Sequence, residues 1–260
     1  MLRPRVIPCL LVHEGGLVKT VEFKAPKYVG DPINAVKIFN EKEADELVVL
    51  DIDATVNGAE PNYKMIANLA AECRMPLCYG GGVRSAEQAK KIICLGVEKV
   101  ALSSAAIENP GLIKQIADEI GRQSVVVVLD VKKRMLSKEY DVFIHNGKKN
   151  TKRSVIEVAT QAEALGVGEI VINSIDNDGQ MKGYDLALAK KIRDVVNIPI
   201  TFLGGAGSLD DIGALIRTCG VVGASAGSLF VFKGVYKAVL INYPSVVQRD
   251  ELIRSSLSKV

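Results

Sequence analysis

The chain repeats itself at a fixed distance, and this limits its fold more than any other feature. "ADELVVLDID" (44–53) returns as "VGEIVINSID" (167–176), and "PLCYGGGVRS" (76–85) returns as "PITFLGGAGS" (199–208), each 123 residues later. "IPCLLV" and "VVVLDV" pair at an offset of 119, which sets Leu11 opposite Asp130. Each half alternates short Val/Ile/Leu-rich runs with amphipathic segments. The runs "RVIPCLLV", "ELVVLDID", "PLCYGG", "KVALSS", "SVVVVLD", "EIVINSID", "PITFLGG" and "VVGASAG" predict eight strands, mostly unalternated, as strands buried on both faces are. Segments such as "DPINAVKIFNEKEA", "SAEQAKKIICLG" and "SVIEVATQAEALG" predict the intervening helices, several of which stop at Gly. Eight β-α units in two similar halves predict an α/β fold, a (β/α)8 TIM barrel made of two half-barrels and forming one domain over residues 1–260. A doubly wound open sheet is the alternative.

In such a barrel, chemistry gathers at the C-terminal ends of the strands. The repeat puts Gly80, Gly81 and Gly82 at one such end and Gly204 and Gly205 at its counterpart. Helix starts follow at "SAEQ" (Ser85, Gln88) and "SLDD" (Ser208, Asp211), both patterned as capping boxes. Ser103 and Ser104 end the fourth strand, and Gly227 and Ser228 follow the eighth. Glycine lets a phosphate approach the backbone, and helix N-termini offer free N–H groups. Two symmetric cradles would suit a ligand with a phosphate at each end. The alternative is that these glycines only make tight turns.

Carboxylates reach the same face: Asp51 and Asp53, Asp176 and Asp178, and Asp130. Asp130 is a candidate general acid or base. Its repeat partner, Leu11, carries no proton. Capping a helix, or pairing with Lys132 or Lys133, is the structural alternative for Asp130. At the opposite end, Arg5, Glu46, Lys99 and Glu169 start four strands, and Glu46 and Glu169 are repeat partners. Two cations and two anions there form either a structural salt-bridge plug or a gate for a small neutral molecule.

The balance of 33 basic and 30 acidic residues, net +3, is too weak to imply a nucleic acid or an anionic membrane surface as partner. "MLRPRVIPCLLV" is too short in its apolar part for a signal peptide and reads as a strand. Five cysteines without metal-ligand spacing, with Cys9, Cys78 and Cys94 in apolar contexts, read as reduced, mostly buried thiols of a cytoplasmic protein. No metal or cofactor is expected.

Taken together, "IPCLLVHEGGLVKTVEF", "GDPINAVKIFNEKEADELVVLDIDA", "YGGGVRS", "VEKVALSSAAIENP", "HNGKKNT", "GEIVINSIDNDG" and "LGGAGS" closely resemble the cyclase subunit of imidazole glycerol phosphate synthase, the HisF family. The resemblance runs over nearly the whole chain. It implies a glutaminase (HisH-like) subunit docked on the N-terminal face as a heterodimer, with Glu98 at a docking position. It makes Arg5, Glu46, Lys99 and Glu169 an ammonia gate. It makes Lys19 a residue of the substrate loop, and Gly82, Ser103, Ser104, Gly179, Gly205, Gly227 and Ser228 phosphate-binding positions. The family pattern has two catalytic aspartates, at positions 11 and 130; here only Asp130 remains. Its Ser-x-Asn-Thr reads Ala101-Leu102-Ser103-Ser104, without the substrate-binding Asn. An intact ammonia entrance beside half-dismantled cyclase chemistry resembles a branch associated with surface-polysaccharide (O-antigen) biosynthesis. That branch implies a sugar amidotransferase, making acetamidino groups, as the receiver of ammonia. An active histidine-pathway cyclase, with Asp51, Asp53 or Glu14 standing in for the missing acid, and a scaffold that only activates a glutaminase are the alternatives.

Overall fold

The computed structural model describes residues 3–135 and 137–258. Eight parallel strands close on themselves: β1 (Arg5–His13), β2 (Leu47–Asp51), β3 (Leu77–Gly80), β4 (Lys99–Leu102), β5 (Val125–Lys133), β6 (Glu169–Ser174), β7 (Ile200–Leu203) and β8 (Gly223–Ala226). Each pairs with its successor. β8 returns to β1 with Arg5 opposite Gly223 and Pro8 opposite Ala226, which rules out an open sheet. The fold is the (β/α)8 barrel expected from the repeat.

Closure explains why the strands read as unbroken apolar runs. Successive side chains point to opposite faces, and here both faces are dry. Ile7, Cys9, Val48, Cys78, Ala101, Val126, Val128, Val171 and Leu203 form a core inside the barrel, with Leu11 and Leu50 at its edge. Their neighbours, among them Val6, Leu10, Val49, Tyr79, Val127, Ile170 and Phe202, pack outward against the helices. The interior is tight at β8. A Cβ on Gly223 would lie 1.8 Å from Thr201 Oγ1, so Gly223→Ala is expected to destabilise the protein by about 1–3 kcal/mol in urea unfolding.

The helices start where the sequence places stop and start signals. Asp31 accepts from Asn34 N, and Pro32 occupies the first turn. Ser208 and Asp211 form the reciprocal capping box. The box expected at Ser85 is only half made: Ser85 accepts from Gln88 N, but Gln88 Oε1 reaches past it to Arg84 N. Cys9, Cys78 and Cys219 are buried, whereas Cys94 is exposed at the end of its helix, contrary to the apolar context read for it.

Three hairpins were not foreseen. One follows β1 (Gly16–Val21 with Lys24–Gly30), one follows β5 (Tyr140–Ile144 with Lys149–Ser154), and a short one follows β8 (Phe232–Lys233 with Ala238–Val239). The first two obey the repeat. The connection after β5 spans 134–139 where that after β1 spans only 14–15, and this difference of four residues moves the offset from 119 to 123. No helix among the described residues is long and apolar enough to cross a membrane.

Candidate functional site

A cavity opens at the C-terminal mouth of the barrel. Leu11, Lys19, Gly82, Ser103, Ser104, Asp130, Gly179, Gly205, Gly227 and Ser228 all line it, so residues spread over 218 positions of sequence meet around one space. β1 and β5 stand opposite each other in the ring, so Leu11 and Asp130 face across the mouth.

Asp130 neither caps a helix nor pairs with Lys132 or Lys133. Its register partner on β6 is Asn173, whose Nδ2 donates to Asp130 Oδ1 at 2.8 Å; Ser103 Oγ lies 3.5 Å from Oδ2. Lys132 instead sits 3.9 Å from Asp176, whose other oxygen accepts from Lys133 N. Burial pushes the Asp130 acid up to about 7, Asn173 and Ser103 partly oppose this, and nearby Asp178 adds to it. An acid titrating near neutrality suits proton transfer. The same shift penalises the fold. Ionisation costs nothing below the ordinary carboxylate range, and its cost is complete above about pH 7. Asp130→Asn should therefore change stability by less than about 1 kcal/mol at pH 4 and raise it by up to about 4 kcal/mol at pH 8, measured by urea unfolding at both pH values.

Of the carboxylates considered as stand-ins, only Asp51 lines the cavity. Its Oδ1 accepts from Asp53 N and Ala54 N, both at 3.0 Å, and burial raises its pKa. Asp53 turns to the rim, where its two oxygens hold His13 Nδ1 and Glu14 N, each at 2.7 Å. Neither Asp53 nor Glu14 reaches the cavity wall.

Lys19 is buried, and Nζ donates to Cys9 O at 2.5 Å. It lies against β8: a Cβ on Gly227 would come within 2.7 Å of Nζ. Burial lowers its pKa, while Asp178 works in the opposite direction. This buried cation sits beside the Gly227–Ser228 side of the mouth.

The glycines serve the turns as well as the cavity. Gly205 has φ +107°, and a Cβ there would strike Gly183 O at 2.1 Å; Gly179 has φ +68° and would strike Thr20 O at 2.2 Å. Gly82 N donates to Thr55 Oγ1, and Ser104 Oγ accepts from His145 N, so the β3–β4 side already has internal partners for these groups. The two hairpins roof the mouth. Asp178 accepts from Thr20 Oγ1 and Phe23 N, pinning the first; Asn146 Nδ2 donates to Ile52 O, pinning the second. Asn173, Thr20, Phe23 and Asn146 escaped the sequence reading, because each earns its place through a register or a hairpin.

At the other end the four charges close a ring. Arg5 binds Glu46 through Nη1 and Glu169 through Nη2, the latter at 2.7 Å. Lys99 Nζ lies 2.8 Å from both carboxylates. Thr201 Oγ1 adds a hydrogen bond to Glu169 at 2.6 Å. The two carboxylates are only 4–5% exposed, against 18–25% for the cations. Burial alone would raise the Glu169 pKa, but Arg5 and Lys99 overcome it and hold the acid down at about 2. Above the ring lies the apolar interior of Cys9, Val48, Cys78, Ala101 and their neighbours, and above that the mouth. Glu98 is exposed at the same end as the ring, and its Oε2 accepts from Leu77 N at 2.7 Å.

Comparison with known proteins places this geometry. A family model described as "Histidine biosynthesis protein" matches residues 5–237. The chain is 60% identical, over 97% of both sequences, to a protein of Vibrio vulnificus named putative imidazole glycerol phosphate synthase subunit hisF3. It is 55% identical to the putative subunit hisF2 of Pseudomonas aeruginosa, over 96% of this chain and 99% of that protein. Identity is 41% to imidazole glycerol phosphate synthase subunit HisF of Lactococcus lactis, over 88% of this chain and 89% of that one.

Proposed function

The chain belongs to the HisF family, and from this premise we propose that it is the barrel subunit of a glutamine-dependent complex: it takes ammonia from a HisH-like glutaminase through the Arg5–Glu46–Lys99–Glu169 ring and delivers it to the mouth, with cyclisation crippled at position 11. The observation that carries this reading is a complete four-charge ring at one end of the barrel and a leucine where a second proton-transfer group would stand at the other.

The interior favours neutral ammonia as cargo. An ammonium ion would shed its water among Cys9, Val48, Cys78, Ala101 and Val171 with no carboxylate to compensate, at a cost of several kcal/mol. Ammonia carries no such penalty, and the ring supplies polar partners at the entrance. The recipient in this proposal is a separate enzyme, a sugar amidotransferase, because Leu11 cannot act as acid or base.

One observation favours the second reading, an active cyclase of the imidazole glycerol phosphate synthase type. Asp130 stands in the cavity with an acid near 7, Asp51 lines the same wall, and the candidate phosphate positions surround them. The scaffold reading has no comparable support, since activating a glutaminase requires no closed ring of charges at the foot of an apolar interior.

Co-purification with a HisH-like glutaminase tests the proposal. A stable heterodimer in which this chain stimulates glutamine hydrolysis is expected. Failure to form one, with both proteins folded, would remove the ammonia source and the proposal with it.

A further inference from the structure

Two hairpins stand side by side on the rim of the mouth. One follows β1 and the other β8, and Lys27 Nζ lies 5.2 Å from the centre of the Phe232 ring, which ties them together. At the tip of the second, Val235 and Tyr236 are 95% and 97% exposed. Lys24, Lys27, Lys233 and Lys237 are exposed on the same two hairpins. Glu22, in the turn of the first hairpin, accepts from Gln180 Nε2; residues 23–30 and 232–242 contain no Asp or Glu. Among the described residues none of these four lysines has a carboxylate within ion-pair distance, unlike Lys90 and Lys191, which pair with Glu119 and Glu139.

Barrel packing does not account for this feature. The strands of the second hairpin are two residues each, and its tip covers nothing. A valine and a tyrosine held in water between Lys233 and Lys237 of the same hairpin, with Lys27 of the neighbouring hairpin against Phe232, are suited to a contact: the aromatic anchors it and the charges steer it. Their position matters too. The hairpin is joined to β8 through Gly227 and Ser228, which line the cavity. A protein seated here would cover the mouth through which ammonia leaves, and a membrane surface would gain nothing from that position.

We propose that this pair of hairpins is the docking surface for the ammonia-accepting enzyme, a protein whose contact face is acidic around an apolar socket for Val235 and Tyr236. The inference rests on the conduit reading given above.

The test places a photo-crosslinking residue, p-benzoylphenylalanine, at position 236 of the full chain in cells that make the intact complex. Irradiation is expected to join it, through a peptide with more acidic than basic residues, to a third protein, distinct from the glutaminase, that when purified consumes the ammonia released by the glutaminase complex. Lys233→Glu with Lys237→Glu should cut that yield about tenfold while leaving the glutaminase complex intact. Adducts only to lipid, to a second copy or to the glutaminase would overturn the proposal, as would no adduct at all. Binding of the purified chain to phosphatidylglycerol vesicles that is lost with Tyr236→Ser would mark the patch as a membrane contact instead. Glutamine-dependent ammonia transfer, measured separately on ring variants, keeps the two ideas apart. If transfer depends on the ring and no third protein is captured, only the docking surface fails. If capture succeeds and transfer ignores the ring, the conduit fails, and with it the assignment of the captured protein as the ammonia acceptor.

Discussion

Glu169→Gln is expected to lower the stability of the barrel by about 3 kcal/mol at pH 7. The ring holds two cations against two carboxylates, with the carboxylates buried and the cations more open. Neutralising Glu169 leaves Arg5 and Lys99 facing Glu46 alone, with one positive charge uncompensated. The glutamine amide also offers an N–H group to positions where Arg5, Lys99 and Thr201 all donate. Urea unfolding reads the loss directly. Adding Lys99→Met to the same variant restores the charge balance and should recover a large part of it. Because Arg5 and Lys99 depress the Glu169 acid to about 2, its contribution is present above the ordinary carboxylate range and disappears as the pH falls toward 2. The difference between wild type and variant should narrow over that interval. The same variants separate conduit from scaffold. A conduit transfers ammonia differently when Lys99 or Glu169 is changed; a scaffold stimulates its glutaminase as before.

The second large effect lies at the mouth. Leu11→Asp should raise ammonium-driven cyclisation of the histidine-pathway bisphosphate substrate by about 10²-fold or more, within the 10²–10⁴ range of a positioned proton-transfer group. The substitution places a carboxylate across from Asp130, on a strand end that already borders the cavity. Leu11 is half-buried at the edge of the inner core, so the variant is expected to fold. Steady-state rates with saturating ammonium salt, for wild type and variant side by side, give the ratio. A ratio near one would mean that position 11 does not limit this chemistry.

The architecture was legible because barrel closure writes itself into sequence. Strands buried on both faces become apolar runs, and the half-barrel repeat fixes which residues share a level; Glu46 and Glu169 could be paired through their offset alone. The turn glycines and the two serines after β4 were also readable, since strand ends position them directly. The surroundings of Asp130 were not. Asn173 reaches it only through the β5–β6 register, and Ser103 only through the curvature that brings β4 alongside. The hairpins were hidden for a different reason. "KAPKYVG" has five exposed residues in succession and no buried face to impose a period. Its turn depends on Glu22 and Phe23 adopting positive φ, +51° and +61°, which neither residue type signals in the sequence. The pairing of Gln88 with Arg84 rather than Ser85 shows how a capping box can slip by one residue with no change in the motif.

The account stands most directly on turnover of the histidine-pathway bisphosphate substrate by the purified wild-type chain with excess ammonium salt. Ammonium bypasses any glutaminase, so only the chemistry at the mouth is measured. Folded protein that forms imidazole glycerol phosphate about 10²-fold or more below an ordinary enzymatic rate is the predicted result, because Asp130 works there without a partner. Product formed at an ordinary enzymatic rate would contradict it and make this chain a working cyclase with leucine at position 11.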